Sequence, residues 1–322
     1  MKAIICDEFG PLETLRYDDL PDPVAGAGEI VLKVEAAGVN YPDGLLVQGL
    51  YQSKPERPFV PGNEAAGTVL SVGEGVTHLH PGDRVLGALS LGGFAEQAIC
   101  AADRCFPIPA DMDAADACAM LVAYGTSHHA LKQRAQLKSG ESLVIFGAAG
   151  ATGIAAIQIG KTMGATVIAV CSTEDKRRIA QENGADHAIG YDNLKEEVKA
   201  LTNGKGADVV YDSVGGEAFK AASRFMARNG RLLVIGFASG EIPQLPVNLT
   251  LVKEYAVVGV FWGNWTRHEP AEYMKNMEEL FAWYKDGTVK PLIEGRYKLS
   301  EATEVLTKIM NRGAVGKLAL VP

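Results

Sequence analysis

The chain has 322 residues, 47% of them apolar and 22% charged, with 31 Lys and Arg against 39 Asp and Glu for a net charge of −8. That is enough apolar material for one large or two ordinary cores, and a mildly acidic chain without a basic block excludes a dedicated nucleic-acid or anionic-membrane surface, so a small molecule is the expected partner. Acids and prolines interrupt the opening MKAIICDEFGPLETLRYDDLPDP where a signal peptide needs an apolar stretch, and no charge-free run reads as a membrane span. Five scattered cysteines, Cys6, Cys100, Cys105, Cys118 and Cys171, include no C-x-x-C. The expectation is a cytoplasmic protein with reduced thiols and no structural metal.

In chain order, residues 1–122 carry alternating runs such as EIVLKVEAAGV and GTVLSVGEGV and the turn PGDRV, with few helical patterns. They predict a compact, mainly antiparallel β domain. Residues 123–260 change character: LVIF, TVIAVCS, HAIGY, DVVYDS, RLLVIGF and YAVVGVFW alternate with helix-compatible segments such as TEDKRRIAQENG and NLKEEVKALTNG. Strand and helix repeated in this way predict a parallel sheet covered on both faces, and six strands suit a doubly wound α/β dinucleotide fold. Residues 261–322 carry two amphipathic helices, around AEYMKNMEELFAWYKDG and SEATEVLTKIMNRG, and end on VGKLALV. This segment is expected to return to the first domain and make it discontinuous.

Residues 143–160, LVIFGAAGATGIAAIQIG, run from a strand through a cluster of small residues into a helix. Such a turn presents free backbone N–H groups and the positive end of a helix dipole at one point, which suits a pyrophosphate. Ala149, Gly150, Ala151, Thr152 and Gly153 are the candidate cradle: Gly150 lets the backbone approach the phosphates, and Gly153 lets the helix pack closely. Ala148 replaces the first glycine of the G-x-G-x-x-G pattern, so a glycine-rich helix start without a ligand stays open on the motif alone. The next strand, VIAVCS, ends without the Asp or Glu that an NAD ribose needs, and Lys176, Arg177 and Arg178 follow within a turn. A 2′-phosphate suits that charge, which favours NADPH; the alternative is a solvated cationic helix face.

The stretches AAGVNYPDGLLVQGLY, PFVPGNEAAGTVLSVGEGV, PGDRV, GAAGATG, VVYDSVGG and NRGAVGK together make the chain similar to the medium-chain dehydrogenase/reductases, and within them to the zinc-independent quinone oxidoreductases that include zeta-crystallin. The resemblance spans the whole chain and implies a GroES-like catalytic domain, a Rossmann domain and a homodimer. Zinc-using relatives carry Cys and His where this chain has Asn40 and Asn63, and the four-cysteine lobe for structural zinc is absent. Asparagine is a poor zinc ligand, so no metal is expected here. His78, His80, His128 and His129 lack a cysteine partner in the sequence and read as structural or solvated.

Taking hydride from an alcohol requires an alkoxide, and without a metal nothing in the chain obviously lowers that pKa. Donation from a nicotinamide to an electron-poor acceptor, a quinone or an activated alkene such as a 2-enoyl thioester or enal, is the easier direction; a non-catalytic NADPH-binding protein is a third reading. The resemblance implies Tyr51 beside the nicotinamide, as a phenol able to donate to an oxyanion. Asn40 is the second candidate, holding the nicotinamide ribose or the acceptor oxygen, and Asp43 reads as a helix cap. The resemblance adds Thr126, Ser172, Lys176, Tyr191, Gly236, Phe237 and Arg312 to the cofactor site. Phe261, Trp262 and Trp265 either roof an apolar acceptor or serve hinge or dimer packing. YAVVGVF, the last strand of its series, is a possible sheet edge for pairing across a dimer two-fold.

Overall fold

The computed structural model describes all 322 residues, which divide into two compact units: residues 1–122 with 293–322, and residues 123–292. The first unit begins with β1 (Lys2–Ile5), β2 (Arg16–Asp19), β3 (Glu29–Val39), α1 (Tyr41–Val47), β4 (Glu64–Val72), β5 (Arg84–Ala88), β6 (Gln97–Ala101), β7 (Cys105–Pro107) and α2 (Ala114–Ala119). The second contains α3 (Gly125–His129), β8 (Ser142–Phe146), α4 (Ala151–Thr162), β9 (Thr166–Val170), α5 (Glu174–Glu182), β10 (His187–Ile189), α6 (Leu194–Leu201) and β11 (Ala207–Asp212), then α7 (Gly216–Phe225), β12 (Met226–Val234), α8 (Val247–Lys253), β13 (Ala256–Gly259), α9 (Trp262–His268) and α10 (Pro270–Lys285). The chain then re-enters the first unit with β14 (Ile293–Lys298), α11 (Ala302–Met310) and β15 (Lys317–Val321).

In the first unit the 7-stranded sheet runs β14-β15-β3-β4-β5-β7, with β6 also on β3. Every pairing is antiparallel except β14 with β15. The long strand β3 organises it, because KVEAAGV keeps small residues where β4 crosses closely: a Cβ on Gly67 of β4 would lie 1.9 Å from the Lys33 carbonyl oxygen. The last strand docks on β3 with Ala319 opposite Gly38, so the ends of the chain share one core of Ile30, Leu32, Leu306, Leu318 and Leu320.

The second unit is a six-stranded, wholly parallel sheet in the order β10-β9-β8-β11-β12-β13. That order starts at the middle, moves out one way and returns to build the other half, which is the doubly wound arrangement expected from the sequence. Burial on both faces explains the continuous apolar runs. All five residues of β8 are buried, and Phe146 meets the Phe225 ring edge-on at 6.4 Å; removing a ring of that kind costs about 3–5 kcal/mol.

The boundary expected near residue 260 falls instead at 292/293. The amphipathic face of α10, with Tyr273, Asn276, Met277 and Leu280 buried, packs on α3 and the helical residues after it. Gln133 and Asn276 exchange side-chain hydrogen bonds of 2.9 and 3.2 Å there. Only residues 293–322 therefore return to the first unit.

Candidate functional site

In the second unit, β8 ends at Phe146 and the chain turns on Gly147, at φ +66°. The Gly147 N–H donates to the Tyr191 hydroxyl oxygen at 3.0 Å, and the Gly150 N–H closes the turn on the Gly147 carbonyl at 3.0 Å. Gly150 is the N-cap of the 12-residue α4, and no side chain caps it. A helix start without a capping oxygen leaves its first N–H groups for an anion. A Cβ on Gly150 would meet only the Gly147 oxygen, at 3.4 Å, whereas one on Gly153 would fall 2.4 Å from that oxygen and 2.6 Å from Ala148. Gly153 thus lets the helix close on the turn itself, a nearer neighbour than the sheet expected from the sequence, while Gly150 keeps the approach to the backbone open. Ala149 is buried, Ala151 and Thr152 half-buried, and the Ser127 hydroxyl donates to the Thr152 carbonyl at 2.9 Å, tying α3 to the start of α4.

Other strand ends bring further residues to this edge of the sheet. Beyond β9, Cys171 is buried and Ser172 exposed; burial pushes the Cys171 thiol up to about 11, so it stays a thiol. Thr173 caps α5 by accepting from the Lys176 N–H at 3.3 Å. Arg177 pairs with Glu174 and Arg178 with Glu182 within α5. Tyr191 follows β10 and leans on Phe146. Gly236 follows β12 and donates to the Asp212 carbonyl at 3.3 Å, with Phe237 beside Gly215. Thr126 lies in α3. All but Thr126 follow the carboxyl ends of parallel strands, where open α/β sheets bind ligands.

The aromatic residues after β13 separate. Trp262 lies against Gly125, where a Cβ would meet its ring at 2.9 Å; Trp265 stacks on His129 at 4.1 Å, and both indoles meet Tyr273 edge-on. Those two are packing residues of this unit, and Phe261 is 57% exposed. His128 is also buried, its Nε2 3.0 Å from Glu279, and burial holds both adjacent imidazoles well below their usual pKa.

The first unit holds a second polar cluster, deeper than the sequence suggests. Lys317, first residue of β15, and Glu64, first residue of β4, are 1% and 0% exposed and form an ion pair. The ammonium also donates to Asn40 Oδ1 at 2.7 Å. Asn40 Nδ2 donates to Glu64 Oε1 and to Asn63 Oδ1, both at 3.0 Å, and the Val122 N–H donates to Glu64 Oε2 at 3.0 Å. Room for the pair comes from Gly38: a Cβ there would lie 2.1 Å from Glu64 Oε1 and 2.8 Å from Lys317 Cε. Both N–H bonds of the Asn40 amide are consumed. Of the two roles expected of Asn40, holding the nicotinamide ribose or the acceptor oxygen, the one lone pair left on Oδ1 suits a ribose hydroxyl.

Asp43 caps α1 from its third position, closing a capping box rather than occupying the N-cap itself. Asn40 is the N-cap, and the Asn40 N–H donates to Asp43 Oδ2 at 2.7 Å. Burial pushes the Asp43 carboxyl up from 3.8 to about 7, against the pull of that hydrogen bond and of Lys317. Tyr51 follows α1, half-exposed, and packs on the core of this unit. Arg312 stands just beyond α11 at φ +57°, exposed. Sequence reasoning passed over Glu64, Lys317 and Gly38; the available signal was a charged residue heading each of two apolar strands, EAAGTVLSV and KLALV.

A GroES-like β unit together with a Rossmann unit bearing an open glycine turn defines an oxidoreductase of the dehydrogenase/reductase class. Residues 26–110 match the alcohol dehydrogenase GroES-like domain and residues 151–281 the zinc-binding dehydrogenase family. The quinone oxidoreductase-like protein 2 homolog of Nematostella vectensis is 36% identical over 99% of this chain and 88% of its own length. The Escherichia coli quinone oxidoreductase, solved as a complex with NADPH, superposes with a TM-score of 0.92 at 28% identity, covering 100% of both chains. A mycobacterial protein solved with NADPH gives 0.94 at 31%, also over 100% of both. The chain belongs to the quinone oxidoreductase family of the medium-chain dehydrogenase/reductases.

The zinc in the matched family's description does not fit this site. Two neutral amides already bonded to each other, with the neighbouring Glu64 carboxylate already taken by Lys317, offer a cation no thiolate or imidazole.

The raised Asp43 pKa sets a pH dependence of stability. The folded protein binds this proton more tightly than the unfolded chain, so the contribution is full below about 4 and is lost as pH rises towards 7. Asp43→Asn keeps an oxygen for the Asn40 N–H and removes the titration. Denaturant melts are expected to show the variant gaining on the parent between pH 4 and 8 by on the order of a few kcal/mol; parallel profiles would mean that the carboxyl titrates normally.

Proposed function

We propose that this chain is an NADPH-dependent reductase that works without zinc and passes reducing equivalents to an electron-poor acceptor, a quinone. The observation that carries the reading is the pair Asn40 and Asn63, locked by Lys317 where zinc-using relatives hold metal ligands. A site without a Lewis acid is poorly suited to make an alkoxide and well suited to an acceptor that is already electron-poor.

NADPH, when bound, supplies the reducing equivalents at its nicotinamide ring. The turn of Ala149, Gly150, Ala151, Thr152 and Gly153 holds the pyrophosphate with backbone N–H groups and the α4 dipole. The open approach at Gly150 and the uncapped helix start fit that group. Ser172 and Lys176 take the 2′-phosphate, supported by the lack of an acid at the end of β9 and by the exposure of Ser172 just beyond it. Thr126, Tyr191, Gly236, Phe237 and Arg312 complete the cofactor contacts, and the exposed Phe261 supplies an apolar one. In the first unit, the Tyr51 phenol donates to the acceptor, and the remaining Asn40 lone pair accepts from a ribose hydroxyl.

No helix is long and apolar enough to cross a membrane, and five buried free cysteines support a reducing, cytoplasmic setting. A homodimer is supported by β13, which ends its sheet, and by Val247, Leu251 and Val252 on α8, each 72–79% exposed. Sedimentation is expected to give twice 34.2 kDa; a monomer at micromolar protein removes this assignment.

The functional test offers the purified protein NADPH or NADH with a simple quinone and with a 2-enoyl thioester in parallel. Quinone turnover with NADPH is expected, with NADH poorer and the preference erased in Lys176→Ala. Reduction of the thioester alone moves the chain to the activated-alkene reductases, and tight NADPH binding without turnover makes it a binding protein.

A further inference from the structure

We propose that the Asn63 side-chain amide is the donor that receives the charge developing on the acceptor oxygen, with Lys317 and Asn40 as the positioning residues that aim and polarise it. The inference rests on the functional reading above, because it needs an acceptor whose reduction builds negative charge on oxygen, as a quinone or a conjugated carbonyl does.

An ammonium only donates, so Lys317 Nζ, 2.7 Å from the Asn40 side chain, fixes the atom facing it as Oδ1. Asn40 Nδ2 is thereby turned to the other side, where Glu64 Oε1 and the Asn63 side chain each lie 3.0 Å away. Facing a donor, Asn63 must present its own Oδ1. The assignment of both amides therefore follows from one buried charge, and the Asn63 NH2 group is left pointing away from the cluster.

That NH2 makes no hydrogen bond within the protein, and Asn63 is half-exposed, whereas Glu64 beside it is fully buried. The Asn63 backbone is held by the Leu89 N–H, which donates to its carbonyl at 2.9 Å. Turning the amide over would set NH2 against NH2 and forfeit a hydrogen bond in a buried network, which costs about 1–3 kcal/mol. The same chain strengthens the free N–H bonds, because each amide that accepts from a charged or polarised donor becomes a better donor at its far end.

The result is a preorganised pair of N–H donors on an element anchored by the core. Such a group stabilises a developing oxyanion without reorganising, and removing one oxyanion donor typically costs about 10²–10³ in rate. It provides, with dipoles, the charge stabilisation that a Lewis acid provides elsewhere. Asn40, with both N–H bonds consumed, cannot fill this role, and Tyr51 is left as the proton donor.

The test uses Asn63→Asp, which keeps an oxygen for Asn40 and removes both donors, and Asn63→Ala, which removes the whole group at a half-exposed position where folding is safe. With wild-type protein reducing a quinone, both variants are expected to lose about a hundredfold or more in kcat and to bind NADPH within twofold of wild type by fluorescence titration, with Asn63→Asp melting at an unchanged temperature and Asn63→Ala somewhat lower, because Asn40 Nδ2 loses its acceptor. The double variant Glu64→Gln with Lys317→Met, which leaves no buried charge unpaired, is expected to lose kcat in the same way. Turnover of Asn63→Ala within threefold of wild type overturns the proposal and leaves the functional reading standing. So does a loss of NADPH binding that parallels the loss of rate. Absence of turnover in wild type with quinone and with enoyl thioester overturns the functional reading, and the oxyanion role falls with it.

Discussion

The first unit is built around a buried charge pair. Removing an ammonium and a carboxylate from water costs several kcal/mol per ion, repaid only when geometry and additional hydrogen bonds are nearly complete. Here the repayment is visible atom by atom. Glu64 accepts from Lys317, Asn40 and the Val122 backbone, and Lys317 donates to Glu64 and Asn40. Because Asn40 and Lys317 are 277 residues apart, the pair fastens the returning strand β15 to the junction of β3 with α1 and to the start of β4. Gly38, directly opposite Ala319 in the sheet, is the vacancy that lets the ions meet.

The ion pair also accounts for the chemistry of the site. The ammonium and the Glu64 carboxylate neutralise each other and fix the amides around them in orientations that no ligand chose. The two units thus offer separate physical devices. The second unit offers backbone N–H groups and a helix dipole at the end of a parallel sheet, suited to a phosphate. The first offers neutral donors held rigidly by a charge that never faces solvent. In the proposed reaction an electron-poor acceptor needs positioning and a hydrogen bond to oxygen, which these devices would supply.

The second unit was the most legible part of the sequence. Its strands are buried on both faces, so LVIF, TVIAV and DVVYD appear as unbroken apolar runs, and the turn after the first of them is marked by glycines whose spacing has a steric cause at Gly153. The boundary near 260 was misplaced because an amphipathic face shows only that a helix has a partner. Tyr273, Met277 and Leu280 read the same whether they cover α3 or the first unit. Nor did the sequence show that helical residues continue past α2 through two π-type turns, Met120–Tyr124 and Ala130–Arg134. Asn40 was found by its position, but its spent N–H groups depend on Lys317, and no pattern of spacing or periodicity links those two residues.

In the proposed function a bonded amide pair beside a buried ion pair serves without metal. The most direct measurement is the rate of NADPH oxidation by a quinone after exhaustive chelation, with metal content determined on the same sample and zinc then added back. The account predicts full activity with far less than one equivalent of zinc and no gain on its return. Activity that disappears on chelation and is restored stoichiometrically by zinc would contradict it.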